Sequence, residues 1–545
     1  MKETLRWIGR AGSLLILLIA AAAWAQTQAA TGTLKVKIID EAGKSLPARV
    51  HLRDAAGQYL FVAGQSTRQR AVYKGSKPVC GDWFYTDGSF SIDVGPGEAQ
   101  IDITHGPTYS TAHDTITILA GQNTERAYTL KRLVDPLAMG WYSADEHLHQ
   151  PPDASLMLAE DLNLACIPVC GGVDLSYRPR QRLTQLPDAN HLLVTELPAM
   201  EWDCFLWNLP KPVELRLGKE PWPKDDYATP DRKGGSSDLR TEFIVRTPFL
   251  VEQMHAAGAT TIAYMHDPPR IWWYPLYVAN GWIDVYGVLE NAYCGIANRG
   301  TEADFWRSLD GPGTNGNFGV WYHFLSCGYR LPASGGTDNI GMGMGVWKGY
   351  NRVYAKLPPP SPLTVENWLK ALKAGRTFVT NRPLLFVTVD GKEAGSELAI
   401  NSATPLNVDI HAVSATPISR IDIVHQGKVL KQIDIAPPAT DIRREESITV
   451  PKSGWVAVRC LGRGDNPNLS PAFAFAHTSP FYVIVDGQPI RSPEDARYIH
   501  DQFKAFVERS LPRVKNGQIR KALETMCREA LAKYAAQAEL KGESR

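Results

Sequence analysis

From about residue 140 the sequence alternates apolar runs typical of β-strands with stretches typical of helices, and this alternation limits the fold more than any other feature. Residues 164–169 form a strand-like run, residues 247–257 carry a helical apolar stripe closed by Gly258, and residues 260–265 form the next strand-like run. Such alternation is typical of βα units around a parallel sheet. We therefore expect a central (β/α) barrel over residues 138–380.

The segments on either side of this region have the pattern of β-sandwiches. Residues 32–131 contain short runs in which apolar and polar residues alternate, separated by Gly and Pro turns; the first is Leu34, Val36 and Ile38. Residues 381–488 return to the same alternation after the barrel. Period-two runs with regularly spaced turns predict an N-terminal and a C-terminal β-sandwich.

Helix start signals complete the predicted organisation. Ser492 with proline at the next position and acidic residues behind it is a capping box, and it opens terminal helices over residues 492–542. Thr364 caps a shorter predicted helix that runs through Ala374. A Pro/Lys/Asp-rich insertion at residues 204–245 predicts loops over the barrel mouth.

The charge balance excludes electrostatically driven partners. The 545 residues include 58 basic and 57 acidic side chains, for a net charge of +1. We therefore expect neither nucleic-acid binding nor attachment to an anionic membrane. A small-molecule substrate is the expected partner, and the sequence leaves the oligomeric state open.

Residues 1–25 have the three parts of a signal peptide. A basic start precedes a short apolar stretch from Leu14 to Ala22, and Ala23-Trp24-Ala25 supplies the small residues of a cleavage site. We expect a secreted or periplasmic protein with no membrane span after cleavage; an uncleaved anchor is the alternative. The eight cysteines predict mainly buried thiols.

Two histidines at the end of the first strand of the middle region are the strongest chemical signal. His147 and His149 are separated by one residue, so on a strand both imidazoles point to the same side. Histidine is the commonest protein ligand for transition metals. Chance spacing of exposed or core histidines is the alternative.

The later predicted strands also end in residues that bind metals. These residues are Glu201 (or Glu196), His266, Glu290 and Asp338. In a (β/α) barrel the carboxyl ends of the strands meet on one face, where catalytic residues gather. Nitrogen and carboxylate ligands suit zinc, iron or manganese, so we expect a divalent ion of this kind at the strand ends. Each residue alone would also fit a surface, turn or core position.

Residues that directly follow His266 would suit substrate contacts. Arg270 would hold an anionic group, and Trp272 and Trp273 would form an aromatic wall. The alternative for the arginine is a solvated or structural role, and for the tryptophans ordinary packing.

Together these motifs resemble one metalloenzyme family. The matching segments are Asp145-x-His147-x-His149, Glu201, His266-Asp-Pro268, Glu290-Asn291, Gly336-Thr-Asp338 and residues 371–381. They are similar to the PHP (polymerase and histidinol phosphatase) metallohydrolases, in the exported CehA/McbA-like branch named for carbaryl hydrolase. The first sandwich also resembles a carboxypeptidase-regulatory module. The resemblance implies a PHP-type barrel, which is a distorted TIM-like barrel.

The resemblance also implies roles for individual residues. His147, His149, Glu201, His266 and Asp338 would bind metal, and Asp338 or Glu290 would act as catalytic residues that relay protons. A metal-bound hydroxide would attack an ester, carbamate, amide or phosphoester.

Members of the family hold two or three metals, and two positions here depart from the family pattern, so the resemblance implies one to three divalent ions. Ile340 stands where the family closes its site with histidine, and no histidine follows Glu201 within residues 202–208. These departures keep a second hypothesis open, in which a degenerate, non-catalytic chain binds a glycan or a protein.

Overall fold

The fold is described from a computed structural model of the chain. It describes residues 31–65, 67–68, 80–149, 152–170, 176–177, 182–186, 189–201, 204–223, 245–264, 273–289, 317–338, 347–402 and 404–540. The predicted signal peptide lies outside these residues. Among the described helices, none combines the length and the apolar character that crossing a bilayer requires.

The N-terminal part consists of two sheets that share one apolar core. One sheet has the order β5-β1-β8 and the other the order β3-β4-β2-β6-β7. Leu34, Val36 and Ile38 of β1 alternate inward and are almost fully buried in this core. The strands are β1 (Gly32–Ile39), β2 (Ala48–Arg53), β3 (Thr67–Arg68), β4 (Trp83–Thr86), β5 (Ser89–Val94), β6 (Gly97–Thr104), β7 (Ala112–Ile118) and β8 (Asn123–Thr129).

The middle part combines strands with short helices. Its strands are β9 (Trp141–Asp145), β10 (Leu164–Cys170), β11 (Ser176–Tyr177), β12 (Arg182–Gln185), β13 (Leu192–Glu201), β14 (Cys204–Trp207), β15 (Val213–Glu214), β16 (Arg216–Leu217), β17 (Glu220–Pro221), β18 (Thr260–Tyr264), β19 (Val285–Leu289), β20 (Ala333–Gly335), β21 (Arg352–Lys356) and β22 (Thr377–Thr380). Its helices are α1 (Ala154–Ala159), α2 (Thr247–Ala256), α3 (Tyr274–Ala279), α4 (Asn317–Ser326) and α5 (Val365–Lys373).

The C-terminal part contains long antiparallel strands followed by two helices. The strands are β23 (Leu384–Val389), β24 (Lys392–Glu393), β25 (Glu397–Ile400), β26 (Leu406–His425), β27 (Lys428–Ile448), β28 (Gly454–Arg463), β29 (Phe473–Thr478) and β30 (Phe481–Val485). The helices are α6 (Pro493–Ser510) and α7 (Gly517–Gln537). Both helices contribute buried apolar residues to the core of the middle part.

The predicted central (β/α) barrel is wrong. The described residues are 42% strand and 21% helix, whereas a (β/α) repeat supplies one helix for every strand. Strands β9, β10 and β13 are parallel, as are β18, β19 and β20, but β14 lies antiparallel between the two groups. On the outer side of β9 the neighbour is β21, which is also antiparallel.

The strands of the middle part instead continue into the C-terminal sheet. Strand β21 pairs with β22, and β22 pairs with β29 of the C-terminal part. The end of β20 is tied to the same region by side chains, because Ser479 accepts a hydrogen bond from the Ala333 amide and Thr377 donates one to the Ala333 carbonyl. The middle and C-terminal parts therefore share one continuous sheet, in place of a separate TIM-like barrel.

The prediction of loops at residues 204–245 is also wrong at its start. Strand β14 pairs with β13 and β18, and the side chains of Cys204, Leu206 and Trp207 are buried. Burial of this apolar run against the core decides its conformation, despite the polar residues that follow. Residues 224–244 of the insertion lie outside the described chain.

The helix caps agree with the sequence. The Thr364 hydroxyl accepts a hydrogen bond from the Asn367 amide at 3.1 Å and opens α5. The Ser492 hydroxyl accepts from the Asp495 amide at 3.3 Å and opens α6, whose first residue is proline. Both N-cap predictions are confirmed, because capping depends on residues next to each other in the chain.

Candidate metal centre

The two histidines lie directly after strand β9. The strand ends at Asp145, and beyond it the Leu148 amide donates to the Cys166 carbonyl of β10 at 3.1 Å, so the segment stays fixed beside its neighbour. Alternate residues of an extended segment face the same side. His147 and His149 accordingly turn their rings toward each other, with ring centroids 5.2 Å apart.

Asp338 completes a possible metal-binding triad with these two histidines. Its Oδ1 atom lies 2.9 Å from Nε2 of His147 and 2.7 Å from Nε2 of His149. One donor atom from each of the three residues lies within 4.8 Å of the other two. Two imidazole nitrogens and one carboxylate oxygen therefore converge on one point.

The triad is buried but has one exposed side. His147 and Asp338 expose 0% and 2% of their side chains, whereas His149 exposes 17%. Water and small molecules would therefore reach the triad from the side of His149.

A tight turn places Asp338 next to the histidines. Asp338 follows β20 and has a φ of 50°, in the left-handed region that costs a non-glycine residue about 1–2 kcal/mol. Gly336 approaches the histidine segment so closely that a Cβ atom there would lie 2.7 Å from the backbone nitrogen of His147. Only glycine fits this position, so the Gly-Thr-Asp motif has a steric basis.

Asp145 holds the two ligand-bearing segments together. Its buried carboxylate accepts hydrogen bonds from the Thr337 amide at 3.0 Å, the Thr337 hydroxyl at 2.7 Å and the Gly349 amide at 2.7 Å. It also accepts from the His147 amide at 3.3 Å. Burial raises the pKa of Asp145 to about 6, against the opposing effect of these donors. The residue therefore positions the turn of Asp338 relative to the histidines.

Glu146 is a buried carboxyl group that the sequence analysis did not single out. It lies between Asp145 and His147, and its side chain is fully buried. Burial raises the pKa of Glu146 to about 8, with the Ser334 hydroxyl lowering it and the Asp145 carboxylate raising it further. Strand alternation could have predicted its position, because a residue between Asp145 and His147 faces the side of the strand opposite to theirs.

Replacing Glu146 by glutamine is expected to change how stability depends on pH in the metal-free protein. Because the folded pKa of Glu146 is raised above its unfolded value of about 4.3, its protonated form stabilises the fold at low pH, and this contribution is lost as pH rises through about 8. Wild type and variant should have similar free energies of unfolding at pH 4.5, and the variant should be the more stable of the two at pH 9. Urea unfolding across this range measures the difference; parallel pH curves would contradict it.

Of the remaining predicted site residues, Trp273 is the one whose side chain the structure describes. Glu201 ends β13, where its backbone pairs with Cys204, and nothing is described of its side chain or of that of Glu196. Trp273 is buried, with its ring edge-on to Phe506 of α6 at 4.8 Å. The other candidates, His266, Arg270, Trp272 and Glu290, lie outside the described residues, as does Ile340, where the family has a histidine.

Comparison with known proteins does not identify a family for this chain. No protein-family model matches the chain, and no curated protein matches it. Among solved structures, the chain is similar to a streptococcal ancillary pilin at 10% identity, with a TM-score of 0.13 over 34% of this chain. The chain spans 58% of the length of that pilin. A similarity of this size carries no argument about fold or function.

Proposed function

We propose that the protein is an exported metal-dependent hydrolase that binds one divalent transition-metal ion through His147, His149 and Asp338. Its substrate would be an ester, a carbamate, an amide or a phosphoester. The single observation that carries the proposal is the convergence of three donor atoms within 4.8 Å at a buried position with one open side.

The donor set fits such an ion. Catalytic zinc sites use three protein ligands, commonly two histidines and a carboxylate, and leave a position open. Atoms bound to one tetrahedral zinc ion at about 2.0–2.2 Å lie about 3.3–3.6 Å apart, so Asp338 and the two imidazoles, now at 2.9 and 2.7 Å, would move apart by less than about 1 Å to bind it. The same ligand types hold Fe(II) in oxygenases, so the identity of the ion bound on purification separates zinc from iron.

The chain's own residues would orient the reaction. Asp145 fixes the Asp338 turn, and the partly exposed edge of His149 marks the side from which substrate approaches. When bound, a divalent ion would lower the pKa of a coordinated water toward ~7 and polarise a substrate oxygen.

Two histidine variants test metal binding. Purified protein is expected to contain close to one zinc, iron or manganese ion per chain by elemental analysis, and His147→Ala plus His149→Ala should remove it. His113→Ala plus His255→Ala is the matched control, because these histidines lie away from the triad, with 53% and 31% of their side chains exposed. No bound metal in the unmodified protein would overturn the proposal.

Turnover tests the hydrolase part separately. Nitrophenyl acetate, a nitrophenyl carbamate and bis-nitrophenyl phosphate cover the proposed substrate classes, and at least one should be hydrolysed in a reaction that a chelator stops. Bound metal with no turnover on any of the three would leave only metal binding and would favour the non-catalytic hypothesis, which the isoleucine at position 340 supports.

A further inference from the structure

A cavity lies at the opposite end of strand β9 from the His147, His149 and Asp338 triad. It has a volume of about 720 Å³, within the range of small-molecule sites. Trp141 lines it at the start of β9, whereas His147 follows the end of that strand. Six residues of extended chain span about 20 Å, so the cavity is separate from the triad.

One wall of the cavity is a regular surface of the C-terminal sheet. The strands β23, β26 and β27 are in register, which aligns Phe386, His411 and Arg443 in one row across the sheet. The next row on the same face consists of Thr388, Asp409 and Glu445. Apart from Phe386, the side chains of these two rows are polar or charged, and the backbone hydrogen bonds between the strands fix the spacing of the rows.

The floor of the cavity is apolar. Trp141 and Phe386 contact each other with ring centroids 5.8 Å apart, and Phe386 lies the same distance from the ring of His411. Met139 adds a flexible apolar side chain beside them. Burial and the nearby Arg443 lower the pKa of His411, so its ring is neutral at pH 7.

The rim of the cavity carries as many cationic as anionic side chains. It holds three cationic and three anionic side chains, namely Lys356, Arg443 and Arg444 against Glu393, Asp409 and Glu445. Lys356 and Glu393 form an ion pair, and His411 is hydrogen-bonded to Asp441 at 3.0 Å. The rim therefore offers many donors and acceptors without a net charge that would select an ion.

We propose that this cavity binds a neutral oligosaccharide. A sugar ring has an apolar C–H face that packs on aromatic side chains, and its hydroxyl groups both donate and accept hydrogen bonds. A purely apolar ligand would bury the charged rim without hydrogen bonds, which is costly. A charged ligand of either sign would meet as many like charges as opposite charges on this rim. The floor and the balanced rim together therefore fit an uncharged sugar.

A calorimetric titration of the full chain tests the site. Maltotriose, cellotriose, xylotriose and chitotriose serve as neutral probes, and oligogalacturonate serves as the anionic one. At least one neutral trisaccharide should bind, with an affinity that is nearly unchanged between low and high salt because no net charge is involved. Binding of none of the neutral sugars, or of the anionic sugar alone, would overturn the proposal.

Variants locate the binding. Phe386→Ala should weaken binding of the sugar by about tenfold or more. Leu430→Ala is the matched control, since Leu430 is an exposed apolar residue of β27 outside the cavity, and it should leave binding unchanged. Equal affinity of Phe386→Ala and wild type would reject this cavity as the site. Adding a chelator should not alter sugar binding, which separates this proposal from the metal-dependent one.

Discussion

Replacing Asp338 with asparagine is expected to weaken zinc binding by more than about 100-fold. Changes to groups behind the metal ligands alone cost 10–100-fold, and this change removes the anionic ligand of the triad. Oδ1 of Asp338 is the atom that both histidines share, at 2.9 and 2.7 Å. Competition with a coloured chelator measures the affinity.

The fold should survive this substitution. Asparagine is of nearly the same size, tolerates the left-handed backbone of residue 338, and keeps an oxygen for the hydrogen bond with His149. Asp486→Asn is a matched control, because Asp486 also has a positive φ, of 51°, but lies on the exposed surface with Ser402 as partner. Zinc affinity equal to wild type in Asp338→Asn would show that the triad is not the metal site.

Replacing Arg49 with alanine is expected to lower the free energy of unfolding by about 3–5 kcal/mol. Removing one partner of a buried ion pair is strongly destabilising. Glu160 would lose its nearest counter-charge and keep only the hydrogen bond from the Tyr85 hydroxyl at 3.3 Å and the more distant charge of Arg382. Arg49 of β2 donates to Glu160, which follows α1, at 2.7 Å, and 0% and 1% of the two side chains are exposed. Its guanidinium also donates to the Asn468 carbonyl at 3.0 Å and lies 3.6 Å from the centre of the Trp347 ring.

Urea unfolding followed by circular dichroism measures this loss. Adding Glu160→Gln to Arg49→Ala should recover part of the stability, since the uncompensated charge is then removed. Lys370→Ala is the control, because its ion pair with Glu366 is exposed and should contribute little. A loss in Arg49→Ala no larger than that of the control would contradict a stabilising role for the buried pair.

Local sequence signals predicted part of the structure. Ser492 and Thr364 cap helices as expected, and the apolar runs of β10, β18 and β19 form strands. These features depend on neighbours in the chain. The pairing of β14 between β13 and β18, and of β21 with β9, depends on contacts between distant segments, and an apolar run does not specify its partner or its direction.

For the candidate site, too, the sequence predicted the local features and not the contacts between distant segments. The spacing of His147 and His149 predicted convergent imidazoles, and the place of Asp338 after a predicted strand made it a candidate ligand; these three residues form the possible metal-binding triad. The positioning role of Asp145 depends on Gly349, more than 200 residues away in sequence, at 2.7 Å. The cavity beside Phe386 depends on the register of three strands, which no local pattern reveals.

The continuous sheet has a consequence for how the protein unfolds. Because β9 is joined through β21 and β22 to β29, cutting the chain near residue 381 would leave an unprotected edge on both fragments. Neither fragment would be an autonomous folding unit. Melting of the region around the His147, His149 and Asp338 triad and of the cavity beside Phe386 should accordingly occur together, as a single cooperative event.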